Sequence, residues 1–167
     1  MLTLILVRHA KTEQLAFKSS KTDFERKLKP RGFTDTELVA DELIRKVIKL
    51  DLLITSKAVR ADQTATLFAN KFDIQDNKII REQFIYDGYT TTDFITYLSQ
   101  FKKEYATIMV VGHNPEIAMM AINITDSNYL DFPTTATAVI SFDVENWKDI
   151  NAREGKLEWL ITPKVLK

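Results

Sequence analysis

A chain of 167 residues is long enough to bury a sizeable core and short enough to be read as one domain, residues 1–167. Its 23 basic and 23 acidic side chains cancel, which argues against a general nucleic-acid or membrane-surface binder, because those usually carry a basic excess. With no cysteine there are no disulfides and no thiolate chemistry. No apolar run approaches a membrane span and the apolar N-terminus is too short for a secretory leader, so the expected location is the cytoplasm.

The chain opens on the apolar run Leu2 to Val7, of the kind a strand buried on both faces shows, and stops on Arg8 and His9. Residues 11–29 are polar and lysine-rich, with little periodicity, and include Asp23-Phe24-Glu25-Arg26. A connection this long without regular structure is often functional. Pro30 and Gly32 punctuate its end. Thr34, with Glu37 three residues on, is the expected capping box of a helix whose apolar stripe is Val39, Ala40, Leu43, Ile44, Val47 and Ile48. Asp51–Ser56 reads as a second buried strand. Ser56 is the expected cap of a following helix, with Arg60 in its first turn and Val59, Leu67, Phe68 and Phe72 on its core face. Lys78-Ile79-Ile80 is a weak third strand, and Thr92 or Asp93 starts a helix with Phe94, Tyr97, Leu98 and Phe101 inward. A fourth strand, Ile108 to Val111, ends at Gly112-His113-Asn114-Pro115. Pro115 suits a first helical turn, and that helix should run to about Ile124. Residues 136–142 and 156–161 read as late strands. Strand and helix alternate, then strands follow, which is the pattern of an α/β domain with a largely parallel sheet.

The chain has two histidines, His9 and His113, and each follows a strand-like run. In open α/β sheets ligands sit beyond the carboxyl ends of the strands. One such histidine alone reads as a satisfied strand-end residue; two suggest a shared site. Metal fits poorly, since two histidines, no cysteine and no HExxH spacing fall short of a zinc site, and no cofactor is expected. An anion fits better. Arginine forks match phosphate oxygens, and Arg60 in a first helical turn would add its charge to free backbone N–H groups. Arg8, Arg60 and His113 around a phosphoryl group leave His9 as the attacking nucleophile. His9 must then be neutral at one nitrogen, with a carbonyl or carboxylate holding its other N–H.

Leu6-Val7-Arg8-His9-Ala10-Lys11 resembles the RHG/RHA signature of the histidine phosphatase superfamily. Ser56-Lys57-Ala58-Val59-Arg60-Ala61-Asp62-Gln63-Thr64-Ala65 resembles its S-x-x-x-R-A-x-Q-T-A segment, and Val111-Gly112-His113-Asn114-Pro115 its second-histidine motif. Asp23-Phe24-Glu25-Arg26-Lys27-Leu28, then Arg31-Gly32, is similar to the D-F-x-R-P-L-x-x-R-G stretch of the SixA-like phosphohistidine phosphatase branch, with Lys27 in place of proline. Phe132-Pro133-Thr134 and residues 142–147 also resemble the C-terminal part of that branch. The likeness covers nearly the whole chain in order. It implies a phosphoglycerate-mutase-like three-layer α/β sandwich with a mostly parallel central sheet. It also implies a two-step reaction in which His9 becomes a phosphohistidine that water hydrolyses, with Arg8, Arg60 and His113 on the phosphoryl oxygens.

The general acid that many relatives place after the third strand has two candidates, Glu82 and Asp87. Asp87 is preferred because Ile85-Tyr86-Asp87-Gly88 resembles the segment that supplies it; since some SixA-like members lack this acid, Asp87 equally reads as an ordinary turn residue before Gly88, and neither carboxylate need be the acid. Arg26 and Asn114 are candidate substrate contacts; equally, Arg26 reads as a solvated loop charge and Asn114 as a helix cap. The Thr134–Thr135 pair is assigned no role, and Trp147 and Trp159 are read as packing. The expected activity is a phosphatase acting on phosphohistidine in a protein. A small-molecule phosphomonoester phosphatase and a non-catalytic phospho-ligand binding module are the alternatives. The expected partner is a phosphorylated protein, such as a phosphohistidine carrier, or a small phosphate ester, with neither nucleic acid nor membrane.

Overall fold

Alternation along β1 (Leu2–Arg8) sends Leu2, Leu4 and Leu6 to one face and Ile5 and Val7 to the other, and both faces are buried. A computed structural model describes residues 1–46 and 48–167. The other strands are β2 (Leu52–Ser56), β3 (Ile79–Glu82), β4 (Thr107–Gly112), β5 (Thr137–Phe142) and β6 (Lys156–Ile161). They form one sheet in the order β3-β2-β4-β1-β5-β6. β1 to β4 pair in parallel, whereas β5 runs antiparallel to β1 and β6 antiparallel to β5.

Helices cover both sides. α1 (Pro30–Arg45) and α2 (Val59–Lys71) pack on the face of Ile5, Val7, Leu53, Met109 and Val111. The short α3 (Phe84–Asp87), α4 (Thr91–Leu98) and α5 (Glu116–Thr125) pack on the face of Leu4, Leu6, Ile54, Ile108 and Val110. This is the expected three-layer α/β sandwich. Each aliphatic side chain fully buried between layers contributes about 1.5–3 kcal/mol. Trp147 lies in the second core with its indole N–H on the Tyr105 carbonyl (2.8 Å), while Trp159 stays 40% exposed under Lys46. No helix among the described residues is long and apolar enough to cross a membrane.

Local expectations needed four corrections. α1 begins at Pro30, not at a Thr34 cap: proline in the first turn opens the helix, and the Thr34 hydroxyl bonds the Pro30 carbonyl from inside it. Ile44 is exposed, and Val47 lies outside the described residues. The buried stripe of α2 is Ala61, Thr64, Ala65, Phe68 and Ala69, so small side chains let the helix sit close to the sheet while Val59, Leu67 and Phe72 are only half-buried. α4 starts at Thr91, one or two residues earlier than expected, and is capped by Thr90, which forms a capping box with Asp93.

Candidate active site

The register of β1 on β4 sets Arg8 opposite Gly112, so the next residue on each strand is a histidine. The rings of His9 and His113 lie 5.3 Å apart, both buried. The turn is locked from the β5 side, because β5 runs antiparallel and starts where β1 ends. The Thr135 N–H bonds the carbonyls of Arg8 (3.0 Å) and His9 (3.1 Å). Thr135 adopts φ 64°, a strained conformation for a β-branched residue.

His9 donates its Nδ1–H to the Ala10 carbonyl at 2.9 Å, the backbone partner that the chemistry asks for. Ala10 is in turn held by Thr64 of α2, whose hydroxyl accepts the Ala10 N–H (3.0 Å) and donates to the Arg60 carbonyl (2.7 Å). The His9 Nε2 lone pair is left facing the cavity, where the Arg60 Nε–H approaches it at 3.3 Å. Burial pushes the His9 pKa down to about 3, against the rise from the Ala10 bond and with smaller help from His113, Arg60 and Arg8.

His113 is organised by Ser56 at the end of β2. The Ser56 Oγ accepts the Ala58 N–H (3.0 Å) and lies 2.8 Å from His113 Nε2. The hydroxyl can donate to Nε2 or accept from it, so the contact fixes the ring's position and leaves either tautomer open. The other ring nitrogen, Nδ1, is buried without a hydrogen-bond partner among the described residues. Burial and then Arg60 lower the His113 pKa to about 4. The Arg8 Nε is also buried without a partner among the described residues, while its Nη1 donates to the Phe132 carbonyl (3.2 Å).

Both imidazoles are therefore expected to be neutral at pH 7. Since the sequence holds only these two histidines, their ring resonances are unambiguous. Long-range ¹H–¹⁵N spectra in phosphate-free buffer should show neither ring titrating between pH 8 and about 5.5, where an ordinary histidine passes its midpoint near 6.5. The linkage sign follows. The unfolded chain binds more protons than the folded one below about pH 6.5, so stability present above that pH is lost as pH falls towards 4 and then 3. A ring titrating near 6.5, or stability flat across this window, would contradict the burial argument.

Arg60 sits in the first turn of α2, 6% exposed, with all three nitrogens engaged. Beyond its contact with His9, Nη1 donates to the Asp23 carbonyl (2.8 Å) and Nη2 pairs with the Asp23 carboxylate (3.0 Å). Asp23 lies in a short 3-10 turn, Asp23–Glu25, within the long polar connection. Its carboxylate also takes Arg26 Nη1 (3.0 Å) and the Tyr86 hydroxyl (3.0 Å). These donors outweigh its desolvation and hold its pKa at about 2. Tyr86 lies edge-on to His113 (5.6 Å) and to Phe24 (5.0 Å), so it joins the Asp23 turn to the second histidine.

Arg8, His9, Arg60 and His113 open into one cavity of about 550 Å³, and Arg26, Asn114 and Thr134 also line it. Asn114 does not cap α5; its amide donates to the Phe132 carbonyl (2.9 Å), the acceptor Arg8 also uses. Arg26 reaches the wall but is tied to Thr12, to the Glu13 carbonyl and to Asp23. Asp87 is not brought to the cavity: it is exposed at the end of α3, its carboxylate bonded by Gln83 (3.1 Å). Glu82, at the end of β3, does not line it either. The residue of that segment that turns inward is Tyr86. The sequence assigns Asp23 and Tyr86 no role at the site and Ser56 only a helix cap, although the Asp23 motif is visible in it.

The model of the histidine phosphatase superfamily (branch 1) matches residues 4–109. An uncharacterized protein of Mycobacterium leprae is 24% identical over 168 residues, covering 95% of this chain and 100% of its own. Among solved structures, the protein histidine phosphatase SixA complexed with tungstate superposes with TM-score 0.82 at 20% identity, covering 99% of this chain and 100% of its own. A mycobacterial glucosyl-3-phosphoglycerate phosphatase superposes with TM-score 0.64 at 13% identity, covering 97% and 98%. A phosphoserine phosphatase of Entamoeba histolytica superposes with TM-score 0.62 at 14% identity over the whole of both chains. The chain belongs to the histidine phosphatase superfamily, and its activity class is that of a phosphatase, a hydrolase.

Proposed function

We propose that the protein removes the phosphoryl group from phosphohistidine in another protein, through a covalent phosphohistidine at His9. In the first step His9 Nε2 attacks phosphorus, the new P–N bond forms, and the P–N bond to the substrate ring breaks. A substrate ring protonated on its other nitrogen leaves as neutral imidazole. In the second step water attacks phosphorus, the bond to His9 breaks, and phosphate and neutral His9 are restored. Arg8, Arg60 and His113 hold the equatorial oxygens and offset the charge that develops on them. The SixA structure in the comparison carries tungstate, a tetrahedral oxyanion, which is the kind of group this donor set suits.

The observation that carries the choice of substrate is the absence of an available acid. Among the described residues no carboxylate lines the cavity. Asp23 is ionised by its arginine and tyrosine partners, and Asp87 faces Gln83 at the surface. An alkyl ester needs a proton for its departing oxygen, whereas a protonated phosphoimidazole already carries its own.

The test compares a phosphohistidine peptide with an alkyl phosphate and with an aryl phosphate, which leaves without a proton. Turnover should rank peptide above aryl ester, with the alkyl ester about 10²-fold or more below the peptide, on the scale a missing general acid costs. Alkyl esters turning over as well as the peptide would assign the protein to small metabolites instead. Tight phosphate binding with no turnover of any of the three would make it a binding module.

A further inference from the structure

The cavity carries more positive charge than one phosphoryl group uses. Five permanent cations line it, Arg8, Lys11, Arg26, Lys29 and Arg60. Arg26 and Arg60 share the single carboxylate of Asp23. Arg8 and Arg60 flank His9. Lys11 and Lys29 remain. They are held side by side by the Lys29 N–H on the Lys11 carbonyl (3.1 Å), next to the Thr12–Leu28 bridge. Both are half-buried, and among the described residues neither enters an ion pair, although five other lysines do.

The backbone keeps this pair in place. A Cβ at Gly32 would stand 2.5 Å from the Lys11 carbonyl, so only glycine lets the first turn of α1 approach so closely. Lys29 is also the residue preceding that turn, which holds no acidic side chain. A cation there opposes the helix dipole. Lys29 thus stands where an anion is favoured, and among the described residues neither lysine has an acidic partner. An arrangement that breaks local rules without compensation within the chain points to compensation from a ligand.

We infer that Lys11 and Lys29 form a second anion subsite, which takes a carboxylate or phosphate group carried by the substrate besides the phosphoryl group that is transferred. This rests on the reading of Arg8, His9, Arg60 and His113 as the phosphoryl site. Two sources share the chemistry: an acidic side chain beside the phosphohistidine of a protein, and the carboxylate of a small phosphorylated metabolite.

The probes are methylphosphonate and the series phosphonoacetate, 3-phosphonopropionate and 4-phosphonobutyrate, which carry a carboxylate at increasing reach and are not hydrolysed. Their dissociation constants are measured by calorimetry. At least one member should bind the wild type about tenfold more tightly than methylphosphonate, the worth of one partly buried ion pair. That preference should vanish in Lys11→Gln/Lys29→Gln and persist in Lys27→Gln, an exposed lysine off the cavity wall. No preference at any length, or a preference that survives the double variant, overturns the subsite. Failure of methylphosphonate itself to bind overturns the phosphoryl-site reading instead. Phosphohistidine peptides with Glu or Gln beside the phosphohistidine then separate the sources. A lysine-dependent gain in kcat/KM for the Glu peptide supports the acidic side chain. A lysine-dependent gain confined to the small phosphonates supports the metabolite.

Discussion

Replacing His9 by alanine should lower turnover of a phosphohistidine peptide by about 10⁴-fold or more, the scale seen when a covalent nucleophile is removed. The expectation follows from the geometry of one ring. Its Nδ1–H is fixed on the Ala10 carbonyl, its Nε2 lone pair faces the cavity, and burial keeps it neutral with a pKa of about 3. The second imidazole at the cavity, His113, has its Nε2 tied to Ser56. A companion measurement separates lost chemistry from lost structure. Brief mixing of the wild type with ³²P-labelled substrate should trap an acid-labile, base-stable adduct on His9, absent from His9→Ala. His9→Asn, which retains a polar side chain, should bind phosphate and unfold near the wild-type temperature while remaining inactive. Turnover within tenfold of wild type in either variant would remove His9 from the mechanism.

Replacing Arg60 by alanine should cost about 10³-fold in kcat/KM, within the range found for a cation that stabilises phosphoryl transfer. Arg60 is 6% exposed and reaches both His9 Nε2 and Asp23, so its loss removes an anion contact and frees the carboxylate of the polar connection. The loss should fall more on kcat than on KM, because the charge it offsets grows in the transition state. Arg60→Lys should recover little, since a point charge replaces a three-nitrogen fork that serves His9 and Asp23 together. A second readout is independent of turnover. Arg60 lowers the pKa of both histidines, so both should rise in Arg60→Ala. Unchanged imidazole pKa values with full activity would mean that Arg60 only anchors the Asp23 turn.

The parts of the fold legible in the sequence were those set by apolar periodicity. The strands leading to His9 and His113, the Arg60 turn and the late strands from 136 and 156 fall where the pattern places them. What escaped depended on contacts between distant segments. The core face of α2 is built from alanines because the sheet lies close, and no periodicity of large side chains announces it. The first turn of α1 is set by Pro30, and a more conspicuous Ser/Thr–Glu pattern at Thr34 misled. At the site, Asp87 was chosen for its residue type in a familiar segment, yet the 3-10 turn at Asp23 draws Tyr86 inward and leaves Asp87 at the surface. Ser56 was read as a helix cap. It does bond the Ala58 N–H, but its second partner, His113, is 57 residues away and invisible to local reasoning.

Arg8 reaches the Phe132 carbonyl across 124 positions of sequence, and β1 pairs with β4 from Thr3 to Thr107. No early-folding segment can therefore assemble the oxyanion pocket on its own. It comes into being only when the central strand has received neighbours from the far half of the chain. Such non-local wiring slows folding relative to a chain rich in local contacts. On the proposed reading an oxyanion is a ligand of the finished fold alone, and should add about 2.7 kcal/mol to its stability at a hundred times the dissociation constant. Substrate or product in the surroundings should then act as a thermodynamic brace, one that a nascent chain gains only after the segment from Phe132 to Phe142 has been made.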